Sequence, residues 1–312
     1  MACLRWSIRR SVVRLAFLEY EAQRFPEAAR RFEHVLEANP EEHEVAFFLG
    51  VVRRRTGDPL AAIEAFQRIP SEHKHYAEAR TQVVAIQERR GDFAGALAEI
   101  EKVLLVKPSR DLELYRATLR AKVGDFEEAI DELEGLLTGT PDDDEIFYNL
   151  GVVYGEVKRV EEAIEYMQRA LKHNPDNASA LNYVGYTWAE RGVRLDEAEA
   201  MIVRAIELRP EDGYIADSLG WVYYMRARPL VESGRGEEAQ QYIERAVQEL
   251  KRAANLTGGD PVIAEHLGDT YLLRNEKQRA LEQFEEALRL EPREGEQPDL
   301  LEKLEALQRE LE

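Results

Sequence analysis

The sequence predicts an all-α solenoid, a row of two-helix hairpins stacked side by side, and three observations predict it. A small residue, an apolar one four later and a small or apolar one three after that recur as a set eight times at near-constant spacing. An apolar-Gly pair with an aromatic residue three after the Gly recurs upstream of the later copies. The composition, 44% apolar and 33% charged with 19 Gly and 12 Pro among 312 residues, suits a folded, helix-rich chain and not a disordered one.

The eight sets run in order. They read Ala28, Phe32, Val35; Ala62, Phe66, Ile69; Ala96, Ile100, Val103; and Ala129, Leu133, Leu136. They continue as Ala163, Met167, Ala170; Ala198, Ile202, Ala205; Ala246, Leu250, Ala253; and Ala280, Phe284, Ala287. Pro40, Pro108, Pro141, Pro175, Pro210 and Pro292 close six of them, and the leading alanines are 34, 34, 33, 34, 35, 48 and 34 residues apart. Each set marks the second helix of a hairpin. The first helix carries the Gly: Leu150, Gly151, Tyr154; Val184, Gly185, Trp188; Leu219, Gly220, Tyr223; Leu267, Gly268, Tyr271. Helices approach to about 8–10 Å only where small side chains meet at the crossing, so Gly and Ala should form the contact and the larger residues fill around it. Ala16, Val84 and Ala117 replace the Gly in early copies. Gly91-Asp92-Phe93 and Gly124-Asp125-Phe126 mark tight turns between paired helices. After Pro298, Leu300, Leu301, Leu304, Leu307 and Leu311 follow helical spacing and predict a cap over the face that the last repeat would otherwise expose.

This pattern resembles the tetratricopeptide repeat (TPR) family. The resemblance implies a right-handed superhelical α-solenoid of about eight hairpins plus a C-terminal capping helix. The expected organisation is a basic leader over 1–8, then repeats over 9–42, 43–76, 77–109, 110–143, 144–177, 178–212, 213–260 and 261–294, then the cap over 295–312. Repeat seven is 14 residues longer than the period. Because Ala239, Ile243, Ala246 and Leu250 keep one apolar stripe, its second helix should start about two turns early. Its first helix should reach Ser233, bent at Pro229, with Gly234-Arg235-Gly236 at the tip of a hairpin projecting roughly 10 Å. A plain loop insertion and a docking finger both fit Arg226 to Gln240.

In TPR superhelices the first helices line the concave side, and a ligand is reached from positions three before, one after and four after the Gly. With neighbours, these are Tyr148, Asn149 and Val152 in repeat five and Asn182, Tyr183 and Tyr186 in repeat six. Repeat seven supplies Tyr214, Asp217, Trp221, Tyr224 and Met225. Exposed aromatics beside polar groups suit peptide or protein capture; packing between repeats is the competing reading of the same rings. Replacing Trp221 and Tyr186 by Ala is expected to abolish partner binding with melting nearly intact. TPR domains that clamp acidic tails use Lys and Asn in the groove. Here Phe47, Tyr148, Asn182, Asp217 and Glu265 stand three before the Gly, Val51, Val152, Tyr186, Trp221 and Asp269 one after it, and no Lys occurs, which disfavours a carboxylate clamp.

Leu181-Asn182-Tyr183-Val184-Gly185-Tyr186, the run Arg191 to Ala198 and Asp212-Gly213-Tyr214 with Asp217 to Trp221 resemble bacterial cell-envelope TPR lipoproteins, some of them adaptors for periplasmic processing proteases. That implies an adaptor role with an envelope protease or assembly factor as partner, in the envelope or periplasm, with the cytoplasm as the alternative. Ala2-Cys3 is the one trace of a lipid-attachment site, beside Leu4 and Arg5, which are not small.

The formal net charge of -19 opposes binding to nucleic-acid phosphates. Arg5, Arg9, Arg10 and Arg14 precede the first acidic residue, Glu19, and form a basic end suited to an acidic surface or to solvent. Cys3 is the one cysteine, so neither an intrachain disulfide nor a Cys zinc site can form. No apolar run reaches membrane-spanning length. Phosphate-loop, dinucleotide, nucleophile-elbow and zinc-helix motifs are missing. His73 and His75 flank Lys74 and read as solvated before they read as metal ligands. The expectation is a non-enzymatic scaffold without cofactor that holds a protein or peptide; a self-associating structural or regulatory subunit, a homo-oligomer, is the second reading.

Overall fold

A computed structural model of the protein describes residues 2–292, 297 and 299–311, with side chains from residue 11 onward. Seventeen α-helices, and no strand, occur among the described residues. Sixteen pair into eight hairpins: α1 (Ala2–Glu21) with α2 (Phe25–Ala38), α3 (His43–Arg55) with α4 (Pro59–Gln67), α5 (Tyr76–Arg89) with α6 (Phe93–Val106), and α7 (Arg110–Val123) with α8 (Phe126–Leu137). The series continues with α9 (Asp144–Glu156) and α10 (Val160–His173), α11 (Ala178–Glu190) and α12 (Leu195–Leu208), α13 (Gly213–Glu232) and α14 (Gly236–Thr257), and α15 (Pro261–Leu273) and α16 (Lys277–Arg289). The last helix is α17 (Leu300–Leu311). The fold is all-α and of the superhelical TPR kind. It divides into two compact units, Met1–Pro141 with four hairpins and Asp142–Glu312 with four hairpins and α17.

The backbone of the expected leader is helical from Ala2 and continuous with α1. The side chains of Cys3, Arg5, Arg9 and Arg10 lie outside the described ones, as does Pro298 before α17. Within each unit the hairpins stack in chain order. The crossing glycines lie against the apolar residue of their own second helix: a methyl group on Gly50 would stand 2.6 Å from the Phe66 ring, on Gly185 2.7 Å from Ile202, and on Gly220 2.6 Å from Leu250. That is tighter than carbon atoms tolerate, so the missing side chain sets the helix spacing. Ala16, Val84 and Ala117 take the same position and are fully buried.

Every hairpin turns through one left-handed residue: Gln23, Gly57, Gly91, Gly124, Lys158, Gly192, Gly234 and Asn275, with φ between 57° and 99°. Five are glycine, which adopts this conformation without steric cost. In repeat six Arg194 is a second such residue. Side-chain oxygens cap many helix starts: Asp58, Asp92, Ser109, Asp143, Asn177, Asp212 and Asp260 each accept a backbone N–H of the first turn.

Repeat seven is longer than its neighbours. Its helices are 20 and 22 residues long against 13 and 14 in repeat six, which adds about seven residues, or about 10 Å, to each arm. Its first helix ends at Glu232, with Ser233 as its C-cap, and its second begins at Gly236, so the insertion is helical and not a loop. Pro229 lies inside α13. The extension carries its own apolar seam, with Ala227, Ala239 and Ile243 buried against Leu230, Val231, Tyr242 and Leu273, the last from α15. The cap is built as expected: Leu300, Leu304 and Leu307 are buried against a core that includes Leu267, Tyr271, Ala280 and Phe284.

Candidate binding site on repeats six to eight

Three first helices, α11, α13 and α15, begin one repeat apart, each behind a capping Asx residue. Asn177 accepts from Ala180 N–H at 3.1 Å. Asp212 accepts from Tyr214 and Ile215 N–H at 3.1 and 3.3 Å, and Asp260 from Val262 and Ile263 N–H at 2.9 and 3.2 Å, in both cases through Oδ1. The loop before α13 brings Arg209, and the segment after α16 brings Glu291, to the same end of the helices. A cavity of about 740 Å³ opens there.

Five of the residues that the periodicity selects line this cavity: Asn182, Tyr183 and Tyr186 from α11, and Tyr214 and Asp217 from α13. Tyr214 is the most exposed aromatic side chain among those described, at 61%, and a second concavity lies on its other side against Leu256 and Thr257. The amide oxygen of Asn182 is buried and has no hydrogen-bond partner. Arg209 donates to Ser179 Oγ at 3.0 Å.

The other six residues lie elsewhere. Tyr148 and Val152 are half-buried against the core of repeats five and six, and Asn149 donates to the Glu145 carbonyl at 2.8 Å. Tyr224 and Met225 are buried, at 9% and 6% exposure, so they are not open groove surface. Trp221 stacks on His266 at 4.0 Å and on Tyr224 at 4.5 Å between ring centroids. Its indole N–H is buried without a partner. The expectation that Trp221→Ala leaves melting intact is therefore corrected: the ring is a packing element between α13 and α15, and its removal opens a hole.

Below this stack is a polar layer. Asp217 lies 2.9 Å from Nδ1 of His266, and both are buried. Burial opposes the charge on His266, but the carboxylates of Asp217, Asp269 and Glu265 outweigh it and hold the imidazole above its usual pKa. Lys303, reaching over from α17, donates to Glu265 at 2.7 Å and Asp269 at 2.8 Å. These are the positions three before and one after Gly268. The pair that a carboxylate clamp would fill with cationic or amide donors is acidic here and holds a lysine. Burial and then the carboxylates of Glu190, Asp217 and Glu265 push the Tyr186 phenol up; burial, with Glu156 and Glu190, does the same for Tyr183 against the opposing Arg191.

The His73 and His75 rings stand 5.5 Å apart, with His43 5.6 Å from His73 and Phe47 stacked on His75 at 4.4 Å. Among the described residues no group of three or more His, Cys, Asp or Glu is placed to hold a metal ion. None of the described helices is long and apolar enough to cross a membrane. The loop contributions to the cavity, Arg209, Asp212, Asp260 and Glu291, are absent from the periodicity-based set; the Asx residue before each first helix was the signal available for Asp212 and Asp260.

Comparison with known proteins finds tetratricopeptide-repeat matches over part of the chain. Two models, both described as tetratricopeptide repeat, match residues 13–82 and 145–177. A TPR repeat-containing protein of Pseudomonas aeruginosa, PA4667, is 26% identical over 226 residues, 72% of this chain and 35% of that protein. The human PEX5-related protein is 28% identical over 177 residues, 55% of this chain and 27% of that one. The chain thus spans about a third or less of these relatives. A crystal structure of a tetratricopeptide repeat protein from Parabacteroides merdae superposes with a TM-score of 0.60 at 20% identity, covering 85% of this chain and 98% of that one.

Proposed function

We propose that this chain, a tetratricopeptide-repeat protein of a class that generally mediates protein–protein interaction, is a non-catalytic scaffold that holds a segment of a partner protein in the cavity of repeats six to eight. The observation that carries the reading is Tyr214. A ring exposed at 61% on an otherwise packed first helix adds little to folding, yet it stands at a cavity with Tyr183 and Tyr186, where a bound segment would cover it. Tyr rings supply large contact area with few torsions to freeze, which is why they dominate binding hot spots. The narrower role, an adaptor in bacterial envelope assembly or proteolysis, rests on the motifs from Leu181 to Trp221 alone; fractionation of the native protein tests it.

The site is tested by placing a photocrosslinking residue at position 214 and, as a control, at exposed Glu285 on α16. The captured protein's affinity is then measured with Tyr214→Ala. We expect capture at 214 only, a loss of about tenfold or more in affinity, and an unchanged melting temperature. Unaltered affinity in Tyr214→Ala removes this cavity as the site. A chain that captures nothing but itself favours the second reading, a self-associating subunit.

A further inference from the structure

We propose that the segment held in this cavity is cationic, an extended stretch of chain whose Lys or Arg side chains lie over the tyrosines and reach the helix-capping aspartates. The inference rests on the reading of the cavity as a protein-binding site and names the chemistry of its occupant.

Three observations support it. The first is the charge of the lining, with Asp212, Asp217, Asp260 and Glu291 set against Arg209. Asp217 is occupied by His266, so three carboxylates remain against one guanidinium. The capping bonds of Asp212 and Asp260 all fall on Oδ1, which leaves Oδ2 of each to accept from a ligand. By taking the first-turn N–H groups, the same caps use up the donors with which a helix start would attract an anion. The second is aromatic. Tyr183, Tyr186 and Tyr214 line the cavity, and tyrosine rings attract a guanidinium or ammonium group, an attraction that strengthens where water is excluded. Elsewhere in this unit the chain already makes such pairs, Arg194 over Trp188 at 3.9 Å and Arg245 over Tyr223 at 4.0 Å. The third is internal precedent: in the next repeat, the equivalent groove positions Glu265 and Asp269 grip Lys303 of α17. The free carboxylates of the cavity, Asp212, Asp260 and Glu291, stand at the loops and not at those two positions, and a cationic partner segment would meet them there. A net charge of -19 would draw such a segment in from a distance.

The test uses the full chain and three fluorescein-labelled pools of unstructured 12-residue peptides, degenerate in sequence: one rich in Arg and Lys, one in Asp and Glu, one uncharged. Anisotropy titrations are run on the wild type, Tyr214→Ala, Asp212→Asn with Asp260→Asn, and Glu282→Gln with Glu285→Gln on the outer face of α16. Asn caps a helix as well as Asp does, so the paired Asp variant keeps the fold; Asp212→Ser with Asp260→Ser, which keeps a capping oxygen, repeats the measurement should the first melt early. We expect the basic pool to bind at least tenfold more tightly than the acidic one. The paired Asp variant should weaken it about fivefold, as for partly exposed ion pairs, Tyr214→Ala at least as much, and the α16 pair not at all. Equal weakening by the α16 pair means diffuse attraction to an acidic protein and overturns the proposal. Tyr214-dependent binding of the acidic or uncharged pool overturns the cationic preference and leaves the binding site standing. If no pool binds through Tyr214, both fall.

Discussion

Replacing Gly268 by Ala should destabilise the protein, whereas the same exchange at Gly135 should stabilise it, and the difference measures how closely the paired helices are held. Both glycines are inside helices, where Ala is favoured by about 0.5–1 kcal/mol. Gly135 in α8 has nothing within 4 Å of the position its Cβ would take, so it should show that gain undiminished. At Gly268 the Cβ would stand 2.5 and 2.7 Å from Cε1 and Cδ1 of Phe284, a ring fully buried under the cap and unable to retreat. Overpacking of this kind costs about 1–3 kcal/mol. The two variants should therefore differ by about 2 kcal/mol, with opposite signs. Gly151→Ala belongs between them: its obstruction is Met167, at 2.8 Å, an unbranched side chain that can rearrange. Urea titrations followed by far-UV circular dichroism give the midpoints. A Gly268→Ala midpoint at or above that of the wild type would show slack at the crossing and remove the reason given for Gly there.

Three further outcomes follow from the packing and charge already described. Trp221→Ala should cost about 2 kcal/mol, since the half-buried ring fills the space between His266 and Tyr224; a melting temperature equal to that of the wild type contradicts it. The two units should respond to pH with opposite sign. His266 is held above its unfolded value near 6.5, so its contribution is complete below that pH and is lost as pH rises through its folded pKa. The His73 imidazole is lowered, by burial first and then by His75, His43 and Lys74, so the first unit loses stability as pH falls below about 6.5. Hydrogen exchange resolved by unit at pH 6 and 8 reads both, and His266→Gln should flatten the second unit's response alone. Lys158→Gly, at a left-handed turn with φ of 59°, should raise the melting temperature by relieving about 1 kcal/mol of backbone strain.

The repeat architecture was legible because one physical demand recurs at fixed spacing. A helix crossing accepts only Gly, Ala or, at Val84, a residue small enough to pack beside Ile100 and Ala96. That restriction survives even where the rest of the consensus decays. The extended hairpin was legible for the same reason, since Ala239 and Ile243 keep the stripe of Ala246 and Leu250. The turns were only half legible. Gly91 and Gly124 announce themselves, and Asn275 is of a type that tolerates the left-handed region, but Gln23 and Lys158 adopt the same conformation, and a long polar residue in a surface turn looks like any other. Nothing local marks them, because what forces the conformation is the packing of the two helices that they join.

The site was legible as a face and not as a surface. Helical spacing places Tyr214, Asp217, Trp221 and Tyr224 of α13 along one side, but it is silent on what the next repeat lays across that side. Here α15 puts His266 against Trp221, and the lower half of the stripe closes into core, whereas the start of the helix stays open because α15 begins behind the loop that ends at Asp260. One aromatic stripe thus divides into a buried part that holds repeats together and an exposed part free to hold something else. The division falls between Tyr214, 61% exposed, and Asp217, 7% exposed, one turn apart. It follows that, under the proposed function, selectivity at the open part is set less by the aromatic residues, which both halves share, than by the carboxylates that the loops add at its rim.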